Sequence, residues 1–164
     1  RKEVHAFDAP WDMFRFALVH ELTHLIFREY IGMSSDVPLC FDEGAAVYME
    51  RRDDKAALVR RFRALLGSGE HIPLPDLVRM RFADLASTGN AHEGISGTDR
   101  VSVFYLESFS LIHFLLEKYD RFKFSTFARK MRDGLAFEDA FFETYRLLRS
   151  WDDVEREWLA FYRK

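Results

Sequence analysis

The chain has 164 residues, 48% of them hydrophobic and 16% aromatic, with a formal net charge of −3. This length and composition fit one folded domain, residues 1–164, and exclude a disordered chain. A single cysteine, Cys40, excludes a disulfide scaffold, and the acidic balance argues against a general nucleic-acid binder. No stretch approaches the roughly 20 apolar residues of a membrane span. Because the chain begins at Arg1 rather than Met, we expect a fragment of a longer protein, with a possible upstream domain.

The hydrophobic pattern predicts a mainly α fold with little or no β-sheet. The first predicted helix covers residues 8–30 and ends before Gly32, and the second covers residues 42–66 and ends at the glycines that follow. Further helices are predicted over residues 76–85, 101–119, 122–132 and 137–145, with a last one after Ser150 as its N-cap. Residues 86–100 are predicted to form a long loop, either a lid at the rim of a site or a plain surface loop.

The residues with the strongest chemical signal lie in the first predicted helix, where positions 20–24 read His-Glu-Leu-Thr-His. Positions i and i+4 share one face of a helix, so His20 and His24 can converge on one metal ion. Glu21 then stands beside the ion, where a base can take a proton from a metal-activated water. The flanking residues are apolar, and a charged cluster within a buried helix requires a compensating partner such as a metal.

A second motif supplies a third ligand. Residues 41–50 read Phe-Asp-Glu-Gly-Ala-Ala-Val-Tyr-Met-Glu, and 18 residues separate His24 from Glu43. This separation is long enough for the chain to turn and return as an antiparallel helix, so that Glu43 can meet both imidazoles. Two imidazoles and a carboxylate leave a coordination position open, which is typical of catalytic zinc, whereas a closed thiolate site is impossible with one cysteine. The sequence therefore predicts a Zn²⁺ site formed by His20, His24 and Glu43.

These motifs resemble the gluzincin metallopeptidases, especially the aminopeptidase N-like branch and the bacterial peptidase MA-like domains. A third segment, residues 105–115, resembles the Tyr-x-x-Ser helix of the MA-like domains, and the residues after 132 resemble their closing helices. The resemblance implies a zincin-like helical catalytic domain, a peptide or protein substrate, Glu21 as general base, and Tyr105 as a donor to the oxyanion of the tetrahedral intermediate. It also makes an exported or bacterial envelope location the leading expectation.

Several roles stay open at this stage. Tyr105 is equally compatible with a core position, and Tyr48 and His92 are weaker candidates for the same donor role. Glu50 lies two turns after Glu43 and is either a hydrogen-bond partner of a ligand imidazole or an exposed residue. His113 is expected to be a core histidine, and Cys40 a small buried side chain rather than a ligand.

The principal hypothesis is therefore a zinc-dependent peptidase, and the alternative is a non-catalytic, peptidase-like binding or regulatory module. Only 19 residues precede His20, too few for the substrate-binding sheet that gluzincins carry before this helix, and this favours the alternative. The intact Glu21 favours the enzyme. The sequence does not separate aminopeptidase from endopeptidase.

Overall fold

The fold is described by a computed structural model that covers residues 11–33, 35–50, 54–86 and 97–163. Within these ranges there are nine α-helices and no strand, which confirms the predicted mainly α class. The helices are α1 Trp11–Ile31, α2 Leu39–Glu50, α3 Lys55–Ser68, α4 Leu74–Arg79, α5 Phe82–Ala86, α6 Gly97–Tyr119, α7 Arg121–Arg132, α8 Phe137–Thr144 and α9 Trp151–Tyr162.

Helix α6 is the centre of the molecule, and α2, α3, α7 and α9 all pack against it. Its sequence is apolar on several faces, and five of its large apolar side chains are almost fully buried: Phe104, Phe109, Leu111, Phe114 and Leu115. Burial of such side chains is the main source of stability in a helical domain. The helix that α6 covers most extensively is α2, which carries Glu43.

The predicted helix ends are largely correct. Gly32 has a left-handed φ of 98° just after α1, and Ser150 caps α9 by accepting a hydrogen bond from the Asp153 N–H. Trp158 of α9 is fully buried against Phe62 of α3, with ring centroids 5.1 Å apart. This stacked pair joins α9 to the core.

Two predicted helices are wrong in extent. The segment predicted as one helix over residues 42–66 forms α2 and α3, because Asp54 leaves the helical conformation at φ −123° and ψ 19°. Helix α3 buries Phe62 against Trp158 of α9. The helix predicted over residues 76–85 is likewise divided into α4 and α5, because Met80 is extended at φ −59° and ψ 140°.

Helix α6 begins at Gly97, four residues before the predicted start. Residues 87–96, which make up most of the predicted lid or rim loop, lie outside the described residues, so that prediction stands as made. Cys40 is fully buried on α2, as predicted.

Helices α2 and α6 approach each other closely at Gly44. A Cβ atom at Gly44 would lie 2.3 Å from the backbone oxygen of Ser108 and 2.8 Å from Cγ1 of Ile112. Only glycine fits at such a contact, because the obstructing atom is backbone and cannot rotate away. Glu43 is therefore held by a helix pressed directly against the core.

Helix α1 is less completely covered than α2. Its exposed large apolar side chains are Phe16, Val19, Leu22, Ile26 and Tyr30. It contacts α2 and α7, where Phe27 stacks on Phe124 at a centroid distance of 6.2 Å. In the part of the chain that the structure describes, α1 and the other helices are all too short or too polar to cross a membrane.

A buried carboxyl group on α6 is predicted to make stability depend on pH. Glu107 is fully buried; its Oε1 accepts a hydrogen bond of 2.8 Å from the N–H of Ile72. Burial, assisted by the charge of Glu155, raises the pKa of Glu107 to about 8 despite that hydrogen bond. Because the folded-state pKa lies above the unfolded one, the contribution of Glu107 to stability is complete below about pH 4.5 and is lost as the pH rises towards about 8.

The variant Glu107→Gln stays neutral at every pH. We expect it to lose this dependence, so that the free energy of unfolding relative to wild type rises by up to about 1.4 kcal/mol per pH unit between about pH 5 and 8. Urea unfolding at several pH values, with a chelator present to exclude metal binding, measures this difference. Glu70→Gln, at an exposed position after α3, is the control. Parallel pH profiles for Glu107→Gln and wild type would contradict the prediction.

Candidate metal centre

Helices α1 and α2 form an antiparallel pair that brings three predicted ligands together. His24 contacts Asp42 near the start of α2, whereas His20, one turn earlier on α1, contacts Glu50 at the end of α2. This reversed order shows that the two helices are antiparallel. The Nε2 atoms of His20 and His24 lie 3.1 Å apart. Oε2 of Glu43 lies 3.3 Å from the first of them and 3.6 Å from the second.

These three atoms have the spacing that one metal ion requires. Ligand atoms bound at ~2.0–2.2 Å with tetrahedral angles lie about 3.3–3.6 Å from one another, close to the observed distances. Oε2 of Glu43 is buried and has no hydrogen-bond partner of good geometry among the described residues, and a buried carboxylate oxygen without a partner is costly. The residues His20, His24 and Glu43 therefore fit a shared divalent cation.

His20 is oriented by Glu50. Its Nδ1 atom lies 3.0 Å from Oε2 of Glu50. A carboxylate only accepts hydrogen bonds, so Nδ1 donates and the lone pair of Nε2 is left for a metal. Of the two interpretations of Glu50, the hydrogen-bond partner is the one that the structure confirms.

His24 is oriented by a residue that the sequence did not identify. Its Nδ1 atom donates to Oδ1 of Asp42 at 2.9 Å, and Asp42 also forms a 2.8 Å ion pair with Arg28. The signal was present, because Asp42 directly precedes Glu43 and Arg28 follows His24 by one helical turn. Recognising it would have required knowledge of how α2 is rotated about its axis.

The electrostatic environment of the centre favours a cation. Of the seven side chains gathered here, four are carboxylates and one is a guanidinium: His20, Glu21, His24, Arg28, Asp42, Glu43 and Glu50. The hydrogen bond to Asp42, followed by the nearby carboxylate of Glu43, raises the pKa of His24 to about 9. Burial raises the pKa of Glu43, but the two ring nitrogens that face it lower that pKa to about 2. Protons therefore compete with a metal for this centre at neutral pH.

Tyr105 and Glu21 lie at the same centre. Tyr105, on α6, is half-buried, and its pKa is raised by burial first and then by the nearby carboxylates of Glu43 and Glu21. A raised pKa keeps the phenol protonated, as a hydrogen-bond donor must be. Glu21 is exposed on α1 beside the ligand face.

The other predicted candidates lie elsewhere. The Tyr48 hydroxyl donates to Glu117 at 3.4 Å and the ring lies under Lys55, so Tyr48 as the oxyanion donor is wrong. Its position on α2 turns the side chain towards the far end of α6. His113 donates from Nδ1 to the Tyr162 hydroxyl at 2.8 Å, as expected for a core histidine. His92 lies outside the described residues.

A mainly α domain with two imidazoles and a carboxylate converging from an antiparallel helix pair is zincin-like. A family model described as the Peptidase MA superfamily matches residues 7–163, nearly the whole chain, and the protein belongs to this superfamily. It is therefore a metallopeptidase-like domain. Comparisons with curated proteins and with solved structures gave no match.

Proposed function

We propose that this domain is a zinc-dependent peptidase of the gluzincin type, with His20, His24 and Glu43 as the metal ligands. The observation that supports this most strongly is the triangle of two Nε2 atoms and one buried carboxylate oxygen, with edges of 3.1, 3.3 and 3.6 Å. Zinc is the metal that two histidines and a glutamate favour at a catalytic site. The substrate is a peptide or protein.

When bound at such a site, zinc polarises a carbonyl group and lowers the pKa of water. The roles of the protein's own residues follow from their positions. Glu21 takes the proton from the attacking water and returns it to the leaving amine. Tyr105, beside Glu43, donates to the oxygen on which negative charge develops. Asp42 and Glu50 hold the two imidazoles in the tautomer that presents Nε2.

The first experiment is metal analysis of the purified protein beside the His24→Ala variant. We expect about one zinc per chain in the wild type. The variant should lose most of this zinc, because the two remaining ligands bind it weakly. A His113→Ala variant is the matched control, since this histidine lies outside the centre. Zinc content that is equal in wild type and His24→Ala would reject the site.

Tyr105→Phe tests the oxyanion role. We expect kcat to fall by about 100-fold while KM changes little, because the hydroxyl acts on charge that develops only in the transition state. Cleavage of internally quenched peptides at saturating concentration measures kcat, and the zinc content should stay at the wild-type level.

Tyr48→Phe is the matched control for this prediction. It removes the same hydroxyl group from a tyrosine that faces Glu117, and kcat should stay within about twofold of wild type. If Tyr105→Phe and Tyr48→Phe have equal activity, Tyr105 is a structural residue.

A further inference from the structure

Arg28 makes more hydrogen bonds than its partial exposure would indicate. It follows His24 by one helical turn on α1 and is about one-fifth exposed, yet each of its three guanidinium nitrogens has a partner. Nε donates to Oδ2 of Asp42 at 2.8 Å, and a second nitrogen contacts the same oxygen at 2.8 Å. The third donates to the backbone oxygen of Ser35, also at 2.8 Å.

These contacts join three parts of the chain. Arg28 belongs to α1, Asp42 to the first turn of α2, and Ser35 to the connection between them. Ser35 is itself fixed, because its hydroxyl donates to the Ile31 oxygen at 2.7 Å and its N–H donates to the Gly32 oxygen at 3.0 Å. The guanidinium therefore sets the position of the α2 N-terminal turn relative to the end of α1.

The position of that turn matters because two groups of the centre stand there. Asp42 accepts the Nδ1–H of His24 with its other oxygen, Oδ1, at 2.9 Å, and Glu43 is the next residue. Each oxygen of Asp42 thus has a separate partner. If Asp42 rotated about its side-chain bonds, His24 would lose the acceptor that fixes its ring, and the Nε2 lone pair would no longer be aimed consistently at the position that it shares with His20 and Glu43.

We propose that Arg28 is a positioning residue of the metal centre, acting through Asp42 to fix the imidazole of His24 and the register of Glu43. This inference rests on the proposed metal site and extends it beyond the groups that touch the ion. The planar guanidinium group of Arg28 is essential to this positioning role, because a single ammonium group cannot reach Asp42 and the Ser35 oxygen in two directions at once. The other imidazole ligand, His20, has its own partner in Glu50 and does not depend on Arg28.

The test is zinc affinity, measured by competition with a chromophoric chelator, together with the absorption spectrum of the Co²⁺-loaded protein. Arg28→Met should weaken zinc binding by about 10–100-fold and change the Co²⁺ spectrum, since the ligand arrangement becomes less uniform. The zinc affinity of Arg28→Lys should lie between those of Arg28→Met and the wild type. Arg63→Met is the control, because Arg63 donates to the Tyr162 backbone oxygen at 3.1 Å, far from the centre, and should leave both readouts unchanged.

A double-mutant cycle with Asp42→Asn separates positioning from general loss of stability. If Arg28 acts through Asp42, Arg28→Met in the Asp42→Asn background should weaken zinc binding by less than about threefold. Additive effects, or wild-type affinity in Arg28→Met, would overturn the role of Arg28 while leaving the metal site intact. A wild-type protein that binds no zinc would overturn both proposals. If Arg28→Met does not fold, Arg28→Lys carries the same cycle.

Discussion

Replacing Glu21 by glutamine is expected to lower kcat by about 10²–10⁴-fold while the zinc content and the thermal midpoint stay at their wild-type values. The amide has the shape of the carboxylate but cannot accept a proton at neutral pH, so a loss of this size is what removal of a general base produces. The zinc content should be unaffected, because Glu21 is exposed beside the ligand face and is not among the three groups that converge. Peptide cleavage under saturating conditions gives kcat directly.

Glu29→Gln is the matched control for Glu21→Gln. Glu29 is an exposed glutamate on the same helix, and it should keep full activity. Activity within about tenfold of wild type in Glu21→Gln would show that another group takes the proton. A loss of both activity and zinc would show instead that Glu21 supports the metal.

The second large effect is expected for Gly44→Ala. Alanine is the better helix former by about 1 kcal/mol, but its Cβ would lie 2.3 Å from the Ser108 backbone oxygen. Separating α2 from α6 far enough to relieve this contact costs more, about 3 kcal/mol, so the net loss should be about 2 kcal/mol and about 4–8 °C in thermal midpoint. Because Glu43 is the preceding residue, zinc affinity should fall as well.

The control is Gly67→Ala, a substitution of another helical glycine that we do not expect to lower stability. A Cβ at Gly67 meets no atom within 4 Å, so the variant should be as stable as wild type or more stable by up to about 1 kcal/mol. Thermal unfolding of both variants measures the contrast. If Gly44→Ala and Gly67→Ala shift the midpoint in the same direction, the close crossing of α2 and α6 is not a determinant of stability.

The local signals in the sequence were sufficient for the helix class, most helix ends and the convergence of His20, His24 and Glu43. Glycines after helices and the serine before α9 act through nearby backbone groups, so their effect can be derived from neighbouring residues. The metal motif is also short in sequence. His20 and His24 lie one turn apart on α1, and Glu43 follows after the short connection to α2.

The remaining features depend on tertiary packing. The division into α2 and α3 has no strong local signal, whereas the packing of α3 depends on the contact of Phe62 with Trp158, nearly a hundred residues later in the chain. Asp42 was missed, while Glu50 was considered, because a carboxylate next to a ligand can point in several directions. The direction in which Asp42 points is set by its contact with Arg28 and by the crossing of α2 and α6 at Gly44.

The incomplete covering of α1 has a consequence for the protein without its metal. This helix supplies both imidazoles, and five of the ten exposed large apolar residues among those described belong to it. An ion that joins α1 to α2 would add binding energy to the native state at a helix whose apolar side chains are only partly covered. Metal removal would therefore loosen α1, making its amides exchange with solvent and its backbone open to proteases while the core around α6 stays folded.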